Sequence, residues 1–167
     1  MKQVKIKLNG GIMPKKATDG AAAYDLYVPE DVTLQCGRQV VDLKFSLELP
    51  MGYAATIQPR SGFSSKGIEV EERFYPFGEE AVMSTTRVNG DVLRGLIDAD
   101  YRGSIGVILH INTLGAIFNE EWHYILKKGT RIAQMQIVEV PEVELVEADD
   151  LSDTERGEGG FGSTGAI

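Results

Sequence analysis

The 167-residue chain has a single cysteine, Cys36, so no disulfide framework staples it and a reducing compartment suits it. It has only two histidines, His110 and His123. Each sits in an apolar run away from Cys36, so the paired donors of a structural metal site are missing. Basic residues run no further than Lys15-Lys16 and Lys127-Lys128, and the net charge is -8, which argues against a broad face for nucleic acid. No apolar stretch approaches the ~20 residues of a membrane span. The opening MKQVKIKLNGG lacks the apolar core of a secretory signal. The expectation is a cytoplasmic protein with no nucleic-acid or membrane partner. A helical period is lacking too, and residues 64–67 hold one turn at most.

What is present is a succession of short strands. Residues 4–8 alternate apolar and polar. Tyr24, Leu26 and Val28 alternate with Asp25, which puts Asp25 on the polar face of a strand within 21–28. Residues 32–34, 53–58, 103–111, 121–126, 131–140 and 141–146 read as further strands, and 112–119 as a turn region. The clearest is 40–49, where Val41, Leu43, Phe45, Leu47 and Leu49 alternate with polar residues. Gly and Pro punctuate these runs, the pattern of an all-β sandwich or barrel. Residues 69–94 are acidic, with Phe74, Tyr75 and Phe77 around Pro76. They read as an extended loop or an added hairpin, with a candidate surface for a protein partner. From 149 onward the chain turns acidic and then glycine-rich.

Three stretches combine chemistry-bearing residues. In 95–103 (GLIDADYRG), an apolar strand breaks at Asp98, Ala99 and Asp100, and Tyr101 follows. Two carboxylates and an aromatic between buried strands can fix a water and a flat ring, although Asp is also an ordinary turn residue. In 59–67 (PRSGFSSKG), a strand ends in Arg60, Ser61, Gly62 and Lys66, groups suited to phosphate oxygens. The spacing is not that of a Walker A loop. In 156–165 (RGEGGFGSTG), glycines surround Arg156 and Phe161. Such a terminus is usually loose, yet it has the parts to close over an anion and a flat ring. Gly106, alone in an apolar strand, marks a close approach to backbone.

With 21–26 (AAAYDL) and 129–134 (GTRIAQ), these make five segments that together resemble the homotrimeric dUTPases, in that family's order and over nearly the whole chain. The resemblance implies a distorted jelly-roll-like β-barrel over 1–148 and a flexible glycine-rich arm over 149–167. It implies hydrolysis of dUTP to dUMP and pyrophosphate by in-line attack of water at the α-phosphorus, which limits uracil in DNA and supplies dUMP for thymidylate. Asp98 matches the carboxylate that activates the water. Tyr101 matches the aromatic under the deoxyribose. Backbone groups of Leu96, Ile97, Asp98 and Gly106 match those that read uracil. Arg60, Ser61, Gly62, Gln134 and Arg156 match phosphate contacts. Phe161 matches the ring that caps uracil, and Gly162 and Ser163 the tail's phosphate contacts. Mg²⁺ is expected on the triphosphate with no direct protein ligand, Asp25 being a candidate reaching a metal-bound water. Sites shared among three subunits are also implied.

The chain departs from the family in the long segment 69–94, which reads as an insertion, in Thr130 where Asp is common, and in Phe63 where Leu is usual. The related dCTP deaminases carry a catalytic Glu on the strand after the hairpin. Ile108 stands there, so deamination has no proton shuttle.

Overall fold

The computed structural model describes residues 2–75, 80, 82–113 and 122–159. Its elements in chain order are β1 (Lys5–Leu8), β2 (Tyr24–Tyr27), β3 (Val32–Thr33), β4 (Gly37–Asp42), β5 (Phe45–Glu48), β6 (Tyr53–Gln58), α1 (Ser61–Lys66), β7 (Ile68–Phe74), β8 (Val82–Val92), β9 (Gly95–Ile97), β10 (Gly106–Thr113), β11 (Trp122–Leu126) and β12 (Arg131–Glu139). The strands form a six-stranded sheet, β3-β11-β7-β8-β10-β4, a four-stranded sheet, β2-β12-β6-β9, and the pair β1-β5. They curl into a nearly closed jelly-roll-like barrel, as the turn-punctuated pattern predicts. Alternate strand residues such as Leu26, Val41, Ile57, Leu109 and Ile132 fill its interior.

Four local expectations change. The run 40–49 is not one strand. Lys44 takes a φ of 54°, its N–H is held by the Asp42 carboxylate at 2.9 Å, and the chain leaves the six-stranded sheet to pair β5 with β1. The alternation still marks the buried face, because Val41, Leu43, Phe45 and Leu47 all stay inside. Gly11 lets the N-terminal segment cross this break. A Cβ there would lie 2.4 Å from the Leu43 carbonyl oxygen.

The single turn expected at 64–67 is a six-residue helix starting at Ser61. Phe63 buries its underside, and Gly67, with φ +73°, closes it by donating to the Phe63 carbonyl at 2.9 Å. Fewer than two turns leave no period to detect.

Residues 141–146 form no strand. Val143 and Leu145 are 73% and 95% exposed, and no strand among the described residues pairs with them. The fourth change is the burial of Asp25: it faces away from the core residue Leu26, on the polar side with Gln134 and Gln58, yet is only 7% exposed.

The segment 69–94 is a hairpin. β7 and β8 pair in continuous register from Ile68↔Val88 to Phe74↔Val82. Val70 and Val88 enter the main core, so its base is built into the barrel. Of the aromatic cluster, the Tyr75 ring meets His123 edge-on at 5.6 Å. Pro76 and Phe77 lie outside the described residues, as does most of the turn expected at 112–119.

Candidate active site

The hairpin expected around Asp98 is not a paired hairpin. β9 is an edge strand of the four-stranded sheet, paired only with β6, while β10 belongs to the six-stranded sheet. The two strands diverge from the turn at 98–105 and leave a slot. It is a pocket of about 360 Å³ lined by Leu96, Asp98, Tyr101, Gly106, Val40 and Ile108 among others. The open backbone edge of β9 can offer N–H and C=O groups to a ligand there. Gly106 keeps the opposite wall thin, since a Cβ there would lie 2.7 Å from Val40 Cγ1.

The turn is tied down from several sides. Tyr101 N–H donates to the Asp98 carbonyl at 3.2 Å, and its hydroxyl to the Ser104 carbonyl at 3.1 Å. Arg102 donates to the carbonyls of Ala99 and Tyr101 at 2.6 and 2.9 Å. Gly103 lies under the phenol, where a Cβ would come 2.3 Å from the hydroxyl and push the ring aside. The Ser104 hydroxyl donates to Asp42. That bond, and after it the Lys44 N–H, hold the Asp42 carboxyl below its ordinary range. With the frame fixed, the Asp98 carboxylate at the rim is exposed and makes no bond or ion pair with the other described residues. It is free to hold a water.

A second pocket, of about 300 Å³, opens beside α1. Register brings its parts together. Asp25 on β2 lies opposite Gln134 on β12, and Gln134 lies opposite Gln58 at the end of β6. Pro59 and Arg60 follow at once. Arg60 Nε donates to Asp25 Oδ1 at 2.8 Å, and Arg131 Nη1 to Asp25 Oδ2 at 3.3 Å. Gln134 Nε2 donates to the Pro59 carbonyl at 3.0 Å. Asp25 and Gln134 therefore hold the loop, while Ser61 and Gly62 lie exposed at its turn into the helix. A buried carboxylate shared by two arginines fails when it is removed, because the cations are left facing each other. Asp25→Ala is expected to cost about 3 kcal/mol, toward the low end of the range for broken buried pairs because Arg131 is half exposed. A shift in the urea midpoint at constant slope checks it.

The two pockets share no residue. Gly95 pairs with Ile57 and Ile97 with Ala55, so Asp98 continues toward the Tyr53 end of β6. Arg60 leaves by the other end. At the rise of a strand, Asp98 and Arg60 of one chain stand about 20 Å apart. Of the arm, Arg156 lines neither pocket and donates from Nε to the Gly159 carbonyl at 2.9 Å in a turn of its own. Phe161, Gly162 and Ser163 lie outside the described residues.

Sequence reasoning placed Lys66 in the phosphate loop but did not assign Arg131 and Arg87 to the second pocket, or Val40 and Ile108 to the first. Arg87 gave no signal, because only the β7–β8 register brings it beside the loop.

A family model described as dUTPase matches residues 9–75 and 83–165. The chain belongs to the dUTPase family. It is 42% identical over 156 residues to the deoxyuridine 5'-triphosphate nucleotidohydrolase of Hydrogenobaculum sp. (strain Y04AAS1), covering 92% of this chain and 90% of that one. To that of Paramecium bursaria Chlorella virus 1 it is 36% identical over 163 residues, covering 97% and 96%. The solved Staphylococcus bacteriophage 80alpha dUTPase with dUPNHPP superposes with a TM-score of 0.74 at 28% identity, over 99% of each chain. As a dUTPase, the chain carries β7 and nearly all of β8 inside the matched ranges; only 76–82 falls between them.

Proposed function

We propose that this chain hydrolyses dUTP to dUMP and pyrophosphate, and that it does so at a site assembled from two pockets on different subunits. The observation that carries the reading is the slot between β9 and β10, where Asp98, Tyr101 and Gly106 line one pocket. Uracil presents an N–H between two carbonyls, a pattern that backbone edges can match donor for acceptor. Tyr101, fixed at its hydroxyl, supports the deoxyribose where a 2′-hydroxyl would collide. Asp98 accepts a proton from the water that attacks the α-phosphorus in line with the departing pyrophosphate. Arg60, Ser61 and Gly62 take the phosphate oxygens.

The donors beside the phosphate loop suit an anion. Asp25 spends both oxygens on arginines, and the described residues hold no cluster of three or more acidic, His or Cys side chains that would cage a metal. Mg²⁺ would be held by the substrate's phosphates and waters and would supply charge neutralisation. Asp25 acts by positioning Arg60.

The separation of Asp98 from Arg60 is the reason for shared sites. A second copy brings its own phosphate loop to the Asp98 pocket, and a trimer closes the ring with three such sites. The exposed Leu151 of the arm, with Val143 and Leu145 just before it, offers apolar groups to lay on a neighbour. Arg156, Phe161, Gly162 and Ser163 then reach that neighbour's site. Cytoplasmic action fits the lone cysteine, Cys36.

The test is pyrophosphate release with Mg²⁺ from dUTP, dTTP, dCTP and UTP. Release is expected from dUTP, with UTP rejected at the sugar and dTTP and dCTP at the base. Comparable turnover of UTP would remove the role given to Tyr101, and dUTP formed from dCTP would make the chain a deaminase.

A further inference from the structure

The second pocket is larger than the phosphate loop that borders it. Its far wall is β8, which supplies Arg87. Arg87 lies directly across from Glu69 in the β7–β8 ladder. Its Nη2 donates to Glu69 Oε2 at 2.8 Å and its Nη1 to the Gly67 carbonyl at 3.3 Å. Gly67 is itself seated on β8. A Cβ there would lie 2.6 Å from the Val88 carbonyl oxygen, so the end of α1 and Arg87 are fixed to one another by backbone contact. The guanidinium is held at one side and half exposed, and its remaining N–H donors have no acceptor among the described residues.

The charges around this space are unequal. Arg60, Arg131, Lys66 and Arg87 border it against Asp25 and Glu69, and Asp25 is already shared by two of the cations. Lys66 makes no ion pair among the described residues, and Gly62 has open space beside it. A cavity of about 300 Å³ with surplus positive charge, continuous with the loop that takes phosphate oxygens, suits a multiply charged phosphate chain.

We propose that Arg87 is a further substrate-binding residue, supplied by the β7–β8 hairpin, and that with Lys66 it holds the terminal phosphates of the substrate and then the pyrophosphate product. This rests on the dUTPase reading of the site. Glu69 orients Arg87 but opposes the anion, so the two residues of the pair have opposite effects on binding. The same geometry makes the hairpin a part of the catalytic unit: its register sets the position of a ligand to the leaving group.

The experiment is calorimetric titration of the full-length protein with inorganic pyrophosphate and, separately, with dUMP, alongside dUTP kinetics. For Arg87→Gln, pyrophosphate affinity is expected to weaken roughly 10-fold, the loss of one charge-assisted contact, with dUMP affinity unchanged. KM for dUTP rises in parallel and kcat moves less than KM. Glu69→Gln is expected to tighten pyrophosphate binding. Unchanged pyrophosphate affinity in Arg87→Gln overturns the proposal. So does equal weakening in Glu69→Gln, which would mean that the pair merely holds the hairpin together. Arg87→Lys, which keeps the charge, covers the case where the Gln variant does not fold, and is expected to retain most of the pyrophosphate affinity. A wild-type protein that releases no pyrophosphate from dUTP would sink the hydrolase reading, whereas the titration reports on the pocket directly.

Discussion

Asp98→Asn is expected to lower kcat for dUTP by about 10²–10⁴-fold, the range that a positioned general base supplies, while KM stays close to its original value. The amide keeps the shape of the carboxylate but cannot take a proton from water. Folding should be undisturbed, because the Asp98 side chain is exposed and bonds to no other described residue. Near-normal turnover would show that the water is activated elsewhere. Asp100, two residues on and also exposed in the turn, is the natural comparison. Asp100→Asn should leave the rate within a few-fold if Asp98 alone faces the water.

The variant also tests how the site is shared. Asp98→Asn and Arg60→Gln are each expected to be poorly active alone. If Asp98 and Arg60 of one site belonged to one chain, every site in a mixture of the two variants would carry one lesion. If they come from different chains, some sites of a mixed assembly carry neither. Unfolding and refolding the two together should then restore a measurable fraction of activity. The spacing along β6, about 20 Å between the two positions in one chain, is the ground for expecting that outcome.

How much of this was legible in the sequence depended on whether the signal was local. The slot residues Leu96, Asp98, Tyr101 and Gly106 lie within eleven positions of one another, and all line one pocket. Alternation also gave the buried face of 40–49, since side-chain facing is a property of each residue. It could not tell that the strand switches partners at Lys44, because an exchange of sheets leaves the alternation intact. Asp25 lies on the polar face that the alternation assigns, beside Gln134 and Gln58, but its burial there was not legible. Period alone assigns a carboxylate to solvent, whereas two arginines from β12 and the loop after β6 make its burial tolerable. Arg87 was illegible, being eighteen positions from Glu69 in sequence and adjacent only through register. The expected strand at 141–146 failed differently. Its alternation of Val143, Leu145 and polar residues is real, but no strand among the described residues pairs with it.

That failure bears on the second large effect. Removing residues 154–167 is expected to lower turnover of dUTP by about 10²-fold or more, comparable to the loss of a transition-state donor, and to leave the thermal midpoint nearly unchanged. The stability half follows from burial. The described residues from 140 to 158 are exposed, form no ladder, and contribute nothing to the core. The activity half follows from chemistry. The removed segment holds Arg156, the aromatic Phe161, and the glycines that allow close backbone approach. In the free chain Arg156 Nε donates to the Gly159 carbonyl and leaves its other N–H groups for a ligand. If the arm closes as proposed, its ordering draws on the ligand's own binding energy. The truncated protein should still bind dUMP, whose contacts lie in the slot, while losing its grip on dUTP. A truncated protein with full activity would sink the closure reading. A collapse of the thermal midpoint would mean that the arm holds the assembly together as well as covering the site.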